Sequence, residues 1–219
     1  MPLYKIIHVG YAQSGLQSGA TMLTSQFVPV NGASTIALDG LTPVGDDVSD
    51  NVYVQTLNPF GYTIATYTWN DWMFDEACWV DDNMDKAAGV EFGIGQGLWT
   101  GGASTTQGLQ TAGKVGTEDV SIQLQSGATA VGNPFPTSVA LEDIVPEGDD
   151  VSDNVYIQTL NPFGYTIATY TWNDWMFDAP CWVDDNMDEA KGIVFGAGQG
   201  LWVGGSSSTQ FIRFPAPTL

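Results

Sequence analysis

Positive charge is what this chain has least of. Its 219 residues carry five Lys and Arg against 25 Asp and Glu, a formal net charge of −20. The five cations, Lys5, Lys86, Lys114, Lys191 and Arg213, are scattered, whereas nucleic-acid binders need clustered Lys and Arg to displace phosphate counterions. The same deficit argues against nucleotide phosphates and anionic membranes as partners. No apolar run approaches the roughly 18 residues of a membrane-spanning helix, so membrane insertion is not expected. One histidine, His8, and two cysteines, Cys78 and Cys181, do not supply the four ligands of a zinc site. No phosphate-cradling glycine loop runs into a Lys and a helix. The opening Met1–Gly15 has no apolar stretch long enough for a secretion signal. That fits a chain not exported by this route, or one that starts after a removed leader.

What the chain does have is itself, twice. Gly45–Ala103 recurs at Gly148–Ser206, shifted by 103 positions, with ten differences in 59 aligned residues. Self-similarity at one period decides architecture before any local motif is read. A period near 100 residues is too long for a solenoid unit and suits a small domain with its own core. The expected organisation is two modules, residues 1–114 and 115–219, meeting at a seam near Gly113–Thr117 too short to act as a tether. A catalytic centre built on His8 would exist in one copy only, which argues against a Ser-His-Asp or Cys-His enzyme.

Strand signals bounded by Gly, Pro, Asn and Asp follow one another, and helix signals are nearly absent. Val52–Leu57 and Tyr62–Trp69 flank Asn58-Pro59-Phe60-Gly61, a turn in which Pro presets φ and Gly tolerates φ > 0. A hairpin follows, repeated around Asn161–Gly164. Ser34–Leu38, Gly97–Thr100 and Gln107–Val115 add short strands, with counterparts in copy two. Gly93–Gly97 reads as turn and bulge geometry between strands. Six or seven strands per module predict an all-β fold, a sandwich or partly open barrel. The stretch 70–89 has no clean period and reads as a long loop with room for one helical turn. Cys78 and Cys181 hold equivalent positions and are expected as buried free thiols.

Two repeated features carry candidate chemistry. The first is acidic. Asp46, Asp47 and Asp50 recur as Asp149, Asp150 and Asp153, and Asp81, Asp82, Asn83 and Asp85 recur as Asp184, Asp185, Asn186 and Asp188. Asp81, Asn83 and Asp85 (Asp184, Asn186 and Asp188 in copy two) are spaced like the start of an EF-hand loop. The match fails at Lys86, where Gly belongs, and at Phe92, where a Glu belongs. Solvated acidic loops and an irregular calcium site are the two readings left open; no other cofactor is implied. A carboxylate pair for glycoside hydrolysis would require two complete active sites in small domains that usually offer faces rather than clefts. The second feature is aromatic: Trp69, Trp72, Phe74 and Trp79, repeated as Trp172, Trp175, Phe177 and Trp182. Such rings beside carboxylates either cap the core or form a platform for sugar rings. The interaction candidates are therefore Trp72, Phe74, Trp79, Asp81, Asp82 and Asp85, with Trp175, Phe177, Trp182, Asp184, Asp185 and Asp188. They lie on a loop expected to face outward, because a long ordered loop in a compact domain is usually functional.

Three motifs occur in order: Val131-Gly132-Asn133-Pro134-Phe135-Pro136, Tyr170-Thr171-Trp172-Asn173, and Gly198-Gln199-Gly200-Leu201-Trp202-Val203. Together they resemble the β-rich modules of bacterial secreted surface proteins of the Bacteroidetes type, with their GNPYP turn, YxWD/N strand and GQGFxV strand. The likeness covers most of copy two and the later two-thirds of copy one, which has Ser25-Gln26-Phe27-Val28-Pro29 in place of the first turn. The chain is also similar, more loosely, to repeat-containing structural proteins of gut bacteriophages. These resemblances imply an accessory, non-catalytic module and no specific binding residues. The expected function is a non-enzymatic structural or display protein of a virion or cell surface, partnered by copies of itself or other assembly subunits. The alternative is a carbohydrate-binding surface module using the Trp/Asp loops, with glycans as partners. The acidic charge is expected to discourage unwanted strand-edge pairing.

Overall fold

The structure, a computed structural model, describes residues 9–16, 19–161 and 163–218. His8, and Pro162 of the second hairpin turn, lie outside the described residues. The described chain is all-β, as expected, with a single short 3-10 turn in each module, Leu38–Gly40 and Leu141–Asp143.

Module one contains β1 (Val9–Gly15), β2 (Gly19–Leu23), β3 (Thr35–Ala37), β4 (Leu41–Val44), β5 (Tyr53–Leu57), β6 (Thr63–Asn70), β7 (Cys78–Val80), β8 (Glu91–Gly93), β9 (Leu98–Gly102) and β10 (Gly108–Lys114). Module two repeats them as β11 (Val120–Gln123), β12 (Gly127–Gly132), β13 (Val139–Ala140), β14 (Val145–Glu147), β15 (Tyr156–Leu160), β16 (Thr166–Asn173), β17 (Cys181–Val183), β18 (Val194–Phe195), β19 (Gly200–Gly205) and β20 (Phe211–Phe214). The sequence signals miss the first two strands of each copy, β4 and β14, and the short β7 and β8 with their counterparts β17 and β18. Those strands are short, from two to seven residues, and several contain glycine, so they carry little periodicity.

Each module folds its strands into three antiparallel sheets. In module one these are β2-β9-β5-β6-β7, β1-β10-β4 and β3-β8, and module two has the same orders. The five-stranded sheet points Val54 and Leu98 inward, against Leu41 and Leu109 of the three-stranded sheet and Phe92 of the small one. The result is a set of small open antiparallel sheets packed around each module's core. The second core, from Leu124 to Phe214, draws only on module two. Each copy therefore has a core cluster drawn from its own residues.

The aromatic segment settles into this core in a way that corrects the expected loop. Cys78–Val80 is a strand, β7, and the segment has no helical turn. Trp79 stands directly opposite Trp69 in the β6–β7 pair, their rings 5.3 Å apart and edge to face. Trp79 is fully buried, and its Nε1–H donates to the Leu41 carbonyl at 2.9 Å. Trp182 repeats this with Trp172 and the Ile144 carbonyl, at 2.8 Å. Trp79 and Trp182 are thus core residues and not interaction residues. A buried indole needs an acceptor, and the backbone leading into the opposite sheet supplies it.

The modules meet reciprocally. Thr24 N–H donates to the Gly198 carbonyl, and Gly132 N–H donates to the Gly95 carbonyl. Leu23 bridges Gln199, while Gln96 bridges Val131. Leu23 and Val131 are equivalent, since they face Leu98 and Leu201 in their own sheets. The contact therefore follows a local twofold axis, the arrangement of an isologous dimer within one chain. It also gives the glycine run a role invisible in sequence. A Cβ on Gly97 would lie 2.9 Å from backbone atoms of Ala130 and Val131, too close for either chain to keep its place.

Copy one's departure from the turn motif also resolves. The Ser25 hydroxyl accepts the Phe27 N–H, as Asn133 Oδ1 accepts the Phe135 N–H. A shorter polar group therefore serves the same turn.

Two outcomes follow. Trp79→Ala or Trp182→Ala should cost about 3–5 kcal/mol in urea unfolding, whereas Trp72→Ala should stay within about 0.5 kcal/mol. Gly97→Ala should destabilise by about 1–3 kcal/mol through overpacking at the seam. Gly40→Ala, where a Cβ meets nothing within 4 Å, is the control.

Candidate interaction surface

Between β6 and β7 the chain turns through residues 71–77, and here the structure does present side chains outward. Trp72 is 63 % exposed, with Met73 and Phe74 beside it less so, and Trp175, Met176 and Phe177 repeat the tip. The tip is held rather than loose. Asn70 is buried and its Oδ1 accepts the N–H groups of Trp72 and Met73. Its Nδ2 donates to Asp50 Oδ1 at 2.9 Å, and the Trp72 Nε1–H donates to Asp50 Oδ2 at 2.7 Å. Asp50 sits at φ 60, a left-handed conformation that Asp tolerates through local hydrogen bonding. Asp153, Asn173 and Trp175 form the same clamp in copy two. Asp50 is the site residue that sequence reasoning placed only in an acidic cluster. Its partners lie 20 and 22 positions away, beyond any local pattern.

The second acidic cluster does something else. Asp81 Oδ1 accepts the N–H groups of Asn83 and Asp85, at 2.9 and 3.0 Å, and shapes the turn in which Met84 takes φ 65. The N–H of Asp85, then that of Asn83, holds the Asp81 carboxyl below the usual carboxylate range. Asp184 is lowered in the same way, chiefly by the N–H of Asp188. One oxygen of the leading carboxylate in each candidate calcium loop, Asp81 and Asp184, is thus committed to its own backbone. Among the described residues, no group of three or more His, Cys, Asp or Glu is arranged to hold a metal ion. Asp82, Asp85, Asp185 and Asp188 are exposed on the same turns. The predicted site residues therefore split: Trp72 and Phe74 form the tip, Asp81, Asp82 and Asp85 a neighbouring acidic turn, and Trp79 the core beneath.

A further surface was not anticipated. In the sheet order β6 lies between β5 and β7, but β7 covers only Thr68–Asn70. Among the described residues, no strand pairs on that side with the half of β6 from Thr63 to Tyr67, which is a free edge. The extra residue in the β5–β6 register is Ile64, which is 67 % exposed, and Phe60 and Tyr62 at the hairpin tip are still more so. Module two repeats the edge with Phe163, Tyr165 and Ile167. Free edges are normally guarded by charge or proline. Here Val52–Asn70 contains no charged residue in a chain with 25 acidic ones. The expectation that acidic charge would protect the strand edges fails where the edge is barest. The same β6 strand leads from this edge to the Trp72 tip, so edge and tip adjoin in both modules.

The cysteines are free, as expected, but not equally covered. Cys78 is buried and Cys181 only half-buried. In copy one Lys86 reaches Glu76 at 2.8 Å close to Cys78, while copy two has Glu189 and Ala179 at those positions. Burial, then the Glu189 carboxylate, pushes the Cys181 thiol above its ordinary range.

A native thiol titration should therefore find one reactive thiol, Cys181, and the second only after denaturation. Because thiolate is the reacting form, the Cys181 rate should keep rising with pH past the range where an ordinary thiol levels off. Glu189→Gln should shift that rise to lower pH. No family model, curated protein or solved structure matches the chain, and the chemistry of this surface carries the functional reading.

Proposed function

We propose that the chain is a non-enzymatic structural module, displayed on a virion or cell surface and built into a larger symmetric assembly. The observation that carries this reading is the pair of unguarded, charge-free β6 and β16 edges, each bordered by exposed apolar side chains. An edge of this kind offers a row of unpaired N–H and C=O groups to another strand. Aromatic residues beside it supply the anchors that dominate interfaces. The clamped Trp72 and Trp175 add to the argument, because an indole fixed before binding loses little entropy on contact.

The duplication then has a physical use. One chain presents the same edge twice, on modules related by a local twofold axis. Two equivalent attachment points per subunit allow growth into rings or fibres, depending on whether the rotation closes. The resemblance to secreted surface modules and phage structural repeats agrees with this reading. The Trp/Asp loop as a sugar platform gains less support, since Asp50 takes the Trp72 indole N–H and Trp79 is buried.

Native mass spectrometry and electron microscopy test the proposal. The parent should form oligomers, and more strongly at high salt, because screening relieves the repulsion between chains of charge −20. Ile64→Lys with Ile167→Lys should yield a monomer of unchanged melting temperature, since both side chains face solvent. A parent that stays monomeric at every concentration and salt, or a double variant that assembles like it, would sink the reading.

A further inference from the structure

Between the modules, on the local twofold axis, lies an open cleft of about 540 Å³. Its lining is doubled like the sequence: Gln55, Trp99 and Thr63 from one side, Gln158, Trp202 and Thr166 from the other. These residues come from the faces of the two five-stranded sheets turned away from the cores. Gln55 stands opposite Trp99 in the β5–β9 pair, and Gln158 opposite Trp202 in β15–β19. Each indole is approached by the other module's hairpin: a Cβ on Gly164 would lie 2.8 Å from the Trp99 ring, and one on Gly61 3.5 Å from the Trp202 ring. Both glycines also have positive φ, +81 and +79. The left-handed turn favours glycine at both positions, and at Gly164 a side chain would also push the Trp99 indole from its place.

We infer that this cleft binds a neutral glycan, stacked on Trp99 and Trp202 and hydrogen-bonded by Gln55 and Gln158. Among the described residues, no Asp, Glu, Lys, Arg or His lines it, in a chain where one residue in seven is charged. That selects against ions of either sign. Indole faces take the C–H faces of pyranose rings, and carboxamides offer a donor and an acceptor to neighbouring hydroxyls. The carboxamides are already aimed: Gln55 Nε2 donates to Thr66 Oγ1 at 3.2 Å, and Gln158 Nε2 to Thr169 Oγ1 at 3.3 Å. Among the described residues, the Nε1–H groups of Trp99 and Trp202 donate to no protein acceptor, unlike those of Trp72, Trp79, Trp175 and Trp182. The volume falls within the roughly 300–1,000 Å³ of small-molecule sites. An uncharged peptide could use the amides but has less to gain from two indoles placed on a twofold axis. A chain of similar sugar rings presents the same face to both.

Titration of the full chain with cellotetraose, mannotetraose and chitotetraose tests the inference, read by the indole N–H resonances. Trp99 and Trp202 should shift with at least one of these probes, at a Kd below about 1 mM, and a sialylated oligosaccharide should not compete. Trp99→Ala or Trp202→Ala should weaken binding about thirtyfold, the loss expected for an aromatic anchor worth about 2 kcal/mol. If those variants unfold, Gln55→Leu with Gln158→Leu keeps the volume and removes the amides, and binding should fall at least tenfold. The Ile64→Lys, Ile167→Lys variant should bind like the parent, so failure of assembly and failure of this inference remain distinct. The inference is overturned if no neutral probe shifts Trp99 or Trp202, if an uncharged peptide binds there and the sugars do not, or if the shifts fall on Trp72 and Trp175.

Discussion

One buried indole in each module holds two sheets in register. Trp79 belongs to the last strand of the five-stranded sheet, and its N–H is bonded to Leu41, at the start of the three-stranded sheet. Because the group is fully buried, losing that acceptor would strand a polar hydrogen in an apolar core, at about 1–3 kcal/mol. The bond fixes β7 against β6, and the edge-to-face contact with Trp69 fixes it further. Once β7 is pinned, the seven residues before it have no room inside. They are driven out as the Trp72–Phe74 tip, and the first half of β6 is left uncovered because β7 is only three residues long. The exposed tip and the bare edge are consequences of one core contact.

The duplication gives a second constraint. Each module has its own core, and what lies between the modules is surface outside both cores. The reciprocal bonds from Thr24 and Gly132 close part of that surface, and the remainder is the cleft of Trp99 and Trp202. A single module would present half of this cleft on an open sheet face. The tandem arrangement supplies the other half at fixed geometry, without requiring two molecules to meet. The near-identity of Gly45–Ala103 and Gly148–Ser206 is compatible with this, since the paired Gln, Trp and Thr residues of the cleft and both edges fall within the repeated text.

Charge ties these features together. Carboxylates cover the turns, as at Asp82 and Asp85, and keep most of the surface solvated. The uncharged stretch 52–70 and its copy form the edges, and the uncharged cleft lies on the axis. In a chain of charge −20, the neutral regions are where another surface or a sugar can approach without desolvating an ion or meeting repulsion.

The sequence alone determined the all-β class, the two modules and the hairpins around Asn58–Gly61, because these depend on local rules. A proline and glycine at set turn positions, β-branched runs and a text repeated at one spacing are all readable within a few residues or by self-comparison. It also placed Trp72 and Phe74 on an outward loop and left the thiols free. It did not separate Trp72 from Trp79, seven residues apart in similar company, because burial was decided by the Leu41 carbonyl 38 positions upstream. It read Asp50 and Asp81 as loose acids, whereas each carboxylate is taken up by partners inside its own module. It gave no sign of the bare β6 edge or the Trp99–Trp202 cleft. An edge is defined by where the neighbouring strand stops, and a cleft by how two modules turn toward each other. Those are relations between distant segments, fixed by packing, and only the tertiary structure holds them.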